Sequence, residues 1–130
     1  MPAPDQYYIP GVCNIGPAEI RQRKYIGWLA AGAAILLFAA LISVDVAREW
    51  RLVIFLPAFV AAIGYLQAAW HFCAKFGLQG VFNLRSTTGQ TDTVEQAEFR
   101  RQDRRTAMKI IIISALIAAV VAAAAYYVPA

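Results

Sequence analysis

Four side chains with chemical potential stand out in this chain of 130 residues: Cys13, Glu19, His71 and Cys73. Two thiols can exchange sulfur or electrons, and two thiols with an imidazole can hold a soft metal such as zinc. Spacing disfavours the metal set Cys13, His71 and Cys73. In His71-Phe72-Cys73 the two ligand types are two positions apart, which on a helix turns them away from each other. A fourth ligand would have to be Glu19 or water. Arg21, Arg23, Lys24 and Lys75 lie near the cysteines in sequence and bring the positive charge that activates thiols. Cys13 and Cys73 are therefore the redox or sulfur candidates, against the plain alternative of two inert thiols. No catalytic residue and no cofactor is predicted.

The elements that must position these residues are membrane helices. Hydrophobic residues make up 60% of the chain, a composition that favours a small integral membrane protein over a soluble domain. Apolar runs cover residues 25–46, 52–72 and 110–128. At 1.5 Å per residue each spans roughly 28 to 33 Å, close to the hydrocarbon thickness of a bilayer. The predicted fold is an all-α membrane protein with three transmembrane helices at about 25–46, 52–73 and 107–128. The first is expected to be retained, since its apolar run is too long for a signal peptide.

Charge predicts the orientation. Twelve Lys and Arg stand against eight Asp and Glu, a net charge of +4. Ten of the twelve lie before the first span or between the second and third, leaving Arg48 and Arg51 between the first two. The positive-inside rule then places the N-terminus and the second loop in the cytoplasm and the C-terminus outside, in a multi-pass protein of the cell inner membrane. Both cysteines fall on the cytoplasmic side, where a permanent disulfide is disfavoured. Twelve residues separate Cys13 from Tyr25, a tether of up to about 40 Å, so the two thiols can meet.

Along the chain, residues 1–24 read as an irregular cytoplasmic arm broken by Pro2, Pro4, Pro10 and Pro17. Residues 25–76 form a transmembrane hairpin, with Pro57 predicting a modest kink. Residues 77–92 read as a cytoplasmic linker, and residues 93–130 as one long helix that extends into the cytoplasm from about residue 93. Asp92 with Glu95 and Thr93 with Gln96 have capping-box spacing at its start. On the extension Arg100, Arg101, Arg104 and Arg105 form a basic ridge suited to anionic lipid headgroups. Nucleic acid is not expected, because no recognition module or aromatic interleaving accompanies the charges.

Small residues at four-residue spacing predict close helix packing through Gly27 and Ala31, Gly64 and Ala68, Ala115 and Ala119, and Ala118 and Ala122. Gln67 is expected to bond across to a neighbouring helix. The centres of the spans carry no ionisable residue, which argues against a stand-alone transporter.

Asn14, Ile15, Gly16, Glu19, Arg21, Gly27, Trp50, Gly64, Phe72 and Cys73 together resemble the two-helix hairpin of small bacterial inner-membrane proteins of unknown function, also found as the membrane anchor of inner-membrane rhodaneses. The likeness covers about residues 14–80. It implies sulfur or persulfide handling near Cys73, although the chain has no rhodanese domain and adds Cys13 and a third helix. The leading functional expectation is a structural or accessory subunit of a homo- or hetero-oligomeric membrane assembly. The alternatives are a membrane-tethered thiol, persulfide or metal-handling protein using Cys13 and Cys73, and, more weakly, an oligomeric channel or small carrier.

Overall fold

The computed structural model describes residues 8–85 and 88–129. Helix α1 runs Pro17–Ser43, helix α2 Phe55–Trp70, the short helix α3 Ala74–Gln79, and helix α4 Ala97–Tyr127. A 3-10 segment, Arg48–Ile54, leads into α2. Between α3 and α4 the chain makes a two-residue antiparallel ladder, strand β1 (Val81–Phe82) with strand β2 (Asp92–Thr93). Three helical stretches are long and apolar enough to cross a membrane: Pro17–Ser43, Arg48–Trp70 and Ala97–Tyr127.

The distribution of polarity is that of a membrane protein. Leu36 is 73% exposed, Ile35 69% and Val120 69%, whereas Asn14, Asn83 and Asp103 are fully buried. Apolar side chains face outward along the helices, and four of the buried polar residues, Asn14, Glu19, Asn83 and Asp103, gather at one end. That polar end holds the arm before α1, the α2–α3 turn, the ladder and the first turns of α4.

Several boundaries differ from the sequence expectation, each for a local reason. Helix α1 begins at Pro17 and not at residue 25, because proline at the first helical position forgoes an N–H that needs no intrahelical partner. Pro57 falls in the first turn of α2, which follows directly on the 3-10 entry at Arg48–Ile54. Helix α2 stops at Trp70, three residues short of the expected 73. His71 turns left-handed at φ 54°, and the Phe72 N–H closes the end on the Gln67 carbonyl at 3.1 Å. The expected linker 77–92 contains the end of α3 and both partners of the ladder. Helix α4 starts at Ala97 and not near residue 93: Asp92 and Thr93 are drawn into the ladder, and the Val94 N–H binds the Gly80 carbonyl at 2.8 Å. Its N-cap, Gln96, makes no side-chain cap, so the expected capping boxes do not form.

Helix α2 packs between α1 and α4, which make little contact with each other. Against α1 the expected close approach is present. A Cβ on Gly64 would lie 2.9 Å from the Arg23 carbonyl oxygen and 3.0 Å from the Gly27 Cα, so only glycine admits this backbone contact. Ala68 is buried on the same helix, while Ala31 is half-buried and lines a groove. On α4 the packing face is Asp103, Ala107, Ile110, Ser114, Ala118, Ala122 and Ala125, an i,i+3/i+4 stripe. Of the two pairs expected on this helix, Ala118 and Ala122 are part of the packing face, while Ala115 and Ala119 lie beside it, half-buried and exposed respectively. Gln67 accepts the Ala74 N–H at 2.9 Å instead of bridging two spanning helices.

At the opposite end Arg51 is buried and donates to the carbonyls of Ala125 at 3.2 Å and Val128 at 2.7 Å. A cation on the terminal carbonyls of α4 satisfies orphan acceptors and complements the helix dipole. The short connection between the first two spans thereby also fixes the third.

Candidate thiol site

Pro2 and Pro4 of the expected arm lie outside the described residues, while residues 8–16, ahead of α1, form a plug in the polar end. Tyr8, Gly11 and Thr106 fasten it to α4: the Tyr8 hydroxyl donates to Asp103 Oδ2 at 2.6 Å, the Gly11 N–H donates to Oδ1 at 2.7 Å, and Thr106 Oγ1 donates to the Gly11 carbonyl at 2.6 Å. Gly11 takes φ +70°, a conformation that suits glycine, and this aims its N–H at the carboxylate. Tyr8 stacks on Phe82 with ring centroids 4.7 Å apart. Burial, and then the hydrogen bond and charge of Asp103, hold the Tyr8 hydroxyl well above its ordinary titration range.

From this turn the chain enters the middle of the polar end. The Asn14 N–H binds the His71 carbonyl at 3.1 Å. Its side chain makes a reciprocal pair with the Cys73 backbone: Nδ2 donates to the Cys73 carbonyl at 3.1 Å, and Oδ1 accepts the Cys73 N–H at 2.6 Å. On its other side the Asn14 carbonyl accepts the Asn83 N–H at 2.9 Å, and the Asn83 carbonyl accepts the Gly16 N–H at 2.9 Å. A Cβ on Gly16 would sit 2.8 Å from the Leu84 carbonyl oxygen, which is why glycine follows Asn14 and Ile15. The arm thus lies between the α2–α3 turn and the strand after α3, and one amide side chain fixes the backbone of Cys73.

Glu19, in the first turn of α1, continues the network. It is almost fully buried, and its Oε2 accepts Asn83 Nδ2 at 2.8 Å and the Gly89 N–H at 2.9 Å. Its Oε1 pairs with Arg23 one turn on. The same guanidinium donates through its second terminal nitrogen to Cys73 Sγ at 3.0 Å and lies over the Phe76 ring, 5.5 Å from the centroid. A buried carboxylate therefore holds an arginine that in turn binds a thiol sulfur. Such charge-assisted bonds are stronger than neutral ones.

Cys73 is 1% exposed but belongs to the wall of a cleft of about 580 Å³ between α2, α3 and α4. Arg23 and Lys75 give that cleft a cationic side, and Phe59, Ile63 and Ile111 an apolar one. A cation beside the sulfur is one mark of a reactive thiol, whereas burial marks an inert one, so reaction at Cys73 requires the adjoining cleft to open onto the sulfur.

The two sulfur candidates are both buried in this layer. Cys13 directs its Sγ to the Ile15 carbonyl at 3.6 Å, while Cys73 faces Arg23. His71 contributes its carbonyl to Asn14, and its side chain lines a separate small cavity with Lys24 and Tyr65. Among the described residues no three His, Cys, Asp or Glu side chains gather as a metal site, so the structure does not assemble Cys13, His71 and Cys73 into a ligand set. Of the expected ridge, Arg101, Arg104 and Arg105 are exposed, but Arg100 folds back onto the carbonyls of Val94 at 2.6 Å and Glu95 at 2.7 Å.

Sequence reasoning missed Asn83, Asp103 and Tyr8 as parts of the site. Asp103 carried a usable signal, since it stands at helical spacing ahead of Ala107 and Ile110 within an otherwise charged run and so falls on the buried stripe. Asn83 and Tyr8 carried none, because their roles depend on contacts distant in sequence. No protein-family model, curated protein or solved structure matches the chain.

Proposed function

We propose that this protein is a membrane-embedded thiol carrier whose working group is Cys73, on the cytoplasmic side of a bacterial inner membrane. The observation that carries the reading is the 3.0 Å contact from Arg23 to Cys73 Sγ at the wall of the cleft. Glu19 fixes Arg23, and Asn14 fixes the Cys73 backbone, so the sulfur is positioned by two buried side chains. The likeness of the hairpin to rhodanese anchors agrees with sulfur chemistry at this position. The cytoplasmic placement rests on the excess of basic residues at the same end of the molecule.

The reaction is exchange with a disulfide or persulfide donor, R–S–S–R′. The Cys73 thiol gives up its proton, its sulfur attacks one donor sulfur, and the S–S bond of the donor breaks. The products are Cys73–S–S–R and R′–SH, so one S–S bond replaces another with no net oxidation. Arg23 supplies the donor and positive charge beside the sulfur. In a Cys13→Ser background, membranes treated with a low-molecular-weight persulfide should yield a protein heavier by one sulfur at Cys73. Arg23→Gln should slow that gain about tenfold or more, the size of a charge-assisted hydrogen bond. An unmodified Cys73 after such treatment would remove the basis of the proposal.

A second reading, an accessory subunit of a membrane assembly, is favoured by a different feature. Because α1 and α4 make little contact, they leave apolar grooves over α2 of about 380 and 270 Å³, bordered by Trp28, Ala34, Ile35, Phe38 and Val121. The mass of the complex in mild detergent separates the two: a stable hetero-complex lost on Ala34→Trp supports the accessory role, and a monomer unaffected by that change supports the thiol role alone.

A further inference from the structure

The structure divides the expected arginine ridge into two unlike parts. Arg100 is committed to backbone carbonyls of its own chain, and Arg101 pairs with Glu98 at 3.1 Å. Arg104, Arg105 and Lys109 are exposed and have no acidic partner among the described residues. On the same side of α4 lie Met108, between Arg105 and Lys109 and 44% exposed, and Ile112, below all three and 52% exposed. Arg101, Arg104, Arg105, Met108, Lys109 and Ile112 together border one shallow trough of about 420 Å³. This side is turned away from the buried stripe of Asp103, Ala107, Ile110 and Ser114, so it looks away from the protein.

The order of chemistry along the trough is informative. Arg104 and Arg105 stand at its upper end, Lys109 follows beside Met108, and Ile112 continues below in the apolar run that begins at Ile110. Moving from Arg101 to Ile112 covers about 16 Å of helix, which crosses the headgroup layer into the first part of the acyl region. A soluble acidic protein or a nucleic acid would meet the cations but leave Met108 and Ile112 without a partner. A phospholipid satisfies both, with its phosphate on the arginines and lysine and its first methylenes on the apolar pair.

We infer that this side of α4 is a binding surface for an anionic phospholipid, formed by Arg104, Arg105 and Lys109 over Met108 and Ile112. It is independent of the thiol chemistry at Cys73. Arg100, expected from the sequence to take part, does not, and Lys109 takes its place.

The test is lipid selectivity of the whole protein in phosphatidylcholine nanodiscs containing a minor fraction of spin-labelled phosphatidylglycerol or spin-labelled phosphatidylcholine. The expected result is an immobilised fraction favouring phosphatidylglycerol by about five- to thirtyfold, in keeping with one to two effective charges at a membrane surface. The triple variant Arg104→Gln/Arg105→Gln/Lys109→Gln should bring that preference to within twofold of unity. A charge-matched control, Arg21→Gln/Lys24→Gln/Lys75→Gln, should keep most of it. Equal losses in both triple variants would show general attraction and overturn the site, as would a preference that survives the first triple variant. Displacement of the labelled lipid from the wild-type protein by an RNA oligonucleotide or polyglutamate at physiological salt would assign the surface to a soluble polyanion instead. Helical circular dichroism of each variant in nanodiscs confirms folding, because all the substituted positions are on or near the surface and make no buried contact.

Discussion

Replacing Asn14 by leucine gives the sharpest energetic consequence in the structure. Asn14 is fully buried, and its side chain accepts the Cys73 N–H at 2.6 Å while donating to the Cys73 carbonyl at 3.1 Å. Leucine has similar volume but neither group. The Cys73 carbonyl keeps a second partner, the Gly77 N–H at 2.9 Å, so its loss is that of one hydrogen bond, about 1 kcal/mol. The Cys73 N–H is left with no acceptor in a buried position, which costs about 1–3 kcal/mol. The sum is about 3 kcal/mol, or about a hundredfold in the population of any state that opens this end. Because Cys73 is 1% exposed, its alkylation in the folded protein reports such opening directly. In a Cys13→Ser background, Asn14→Leu should raise the rate of Cys73 modification by a bulky maleimide about a hundredfold. Val12→Ala, at an exposed position on the same arm, should leave it unchanged. A rate for Asn14→Leu within threefold of the parent would refute the claim that this amide clamps the α2–α3 turn.

Other positions give equally definite expectations. Gly64→Ala places a Cβ 2.9 Å from a backbone oxygen that cannot move alone, so α1 and α2 must separate; a loss of about 1–3 kcal/mol in detergent unfolding is expected, against no loss for Gly32→Ala, where no atom lies within 4 Å. Arg51→Met orphans the carbonyls of Ala125 and Val128, and hydrogen exchange should accelerate in the last turn of α4 while the polar end stays protected. Tyr8→Phe should lower stability by about 1–2 kcal/mol at neutral pH through loss of the bond to Asp103. The sign with pH follows from the raised Tyr8 value: the folded state holds the phenolic proton more tightly, so this stabilisation is complete below the ordinary value of 10.0 and fades as pH rises above it. The gap between wild type and Tyr8→Phe in an unfolding titration should therefore close above pH 10, and a gap constant through that range would contradict the assignment.

The spanning helices were legible because a bilayer imposes a length and an apolar composition that a single sequence displays openly. Gly27 and Gly64 were legible for a related reason, since close helix approach in lipid has few other solutions. The polar end was only half legible. Cys13, Glu19, His71 and Cys73 could be singled out by type, but their grouping depends on Asn14 meeting the α2–α3 turn 59 residues away and on Asn83 meeting Glu19 across 64. Neither leaves a periodic trace. Helix α3 and the Val81–Thr93 ladder were hidden because short elements held by tertiary contacts have almost no propensity signal of their own. Arg100 shows the same limit: helical spacing places it with Arg104, yet the carbonyls of Val94 and Glu95 capture it once β2 brings them alongside. The α4 stripe was legible in part, through the Ala118 and Ala122 pair. Ser114, Ala118 and Ala122 continue the register set by Asp103 and Ala107, whereas Ala115 and Ala119 do not.

The central claim is that Arg23 makes Cys73 the working thiol of this membrane protein. It is tested most directly by the rate at which a small symmetrical disulfide forms a mixed disulfide with Cys73, in Cys13→Ser protein held in lipid nanodiscs, across Arg23, Arg23→Lys and Arg23→Gln. The account predicts the highest rate with arginine, a partial recovery with lysine and a fall of about tenfold or more with glutamine, all with unchanged helical circular dichroism. Equal rates in the three proteins, or reaction only after unfolding in strong detergent, would contradict it and leave Cys73 a structural thiol.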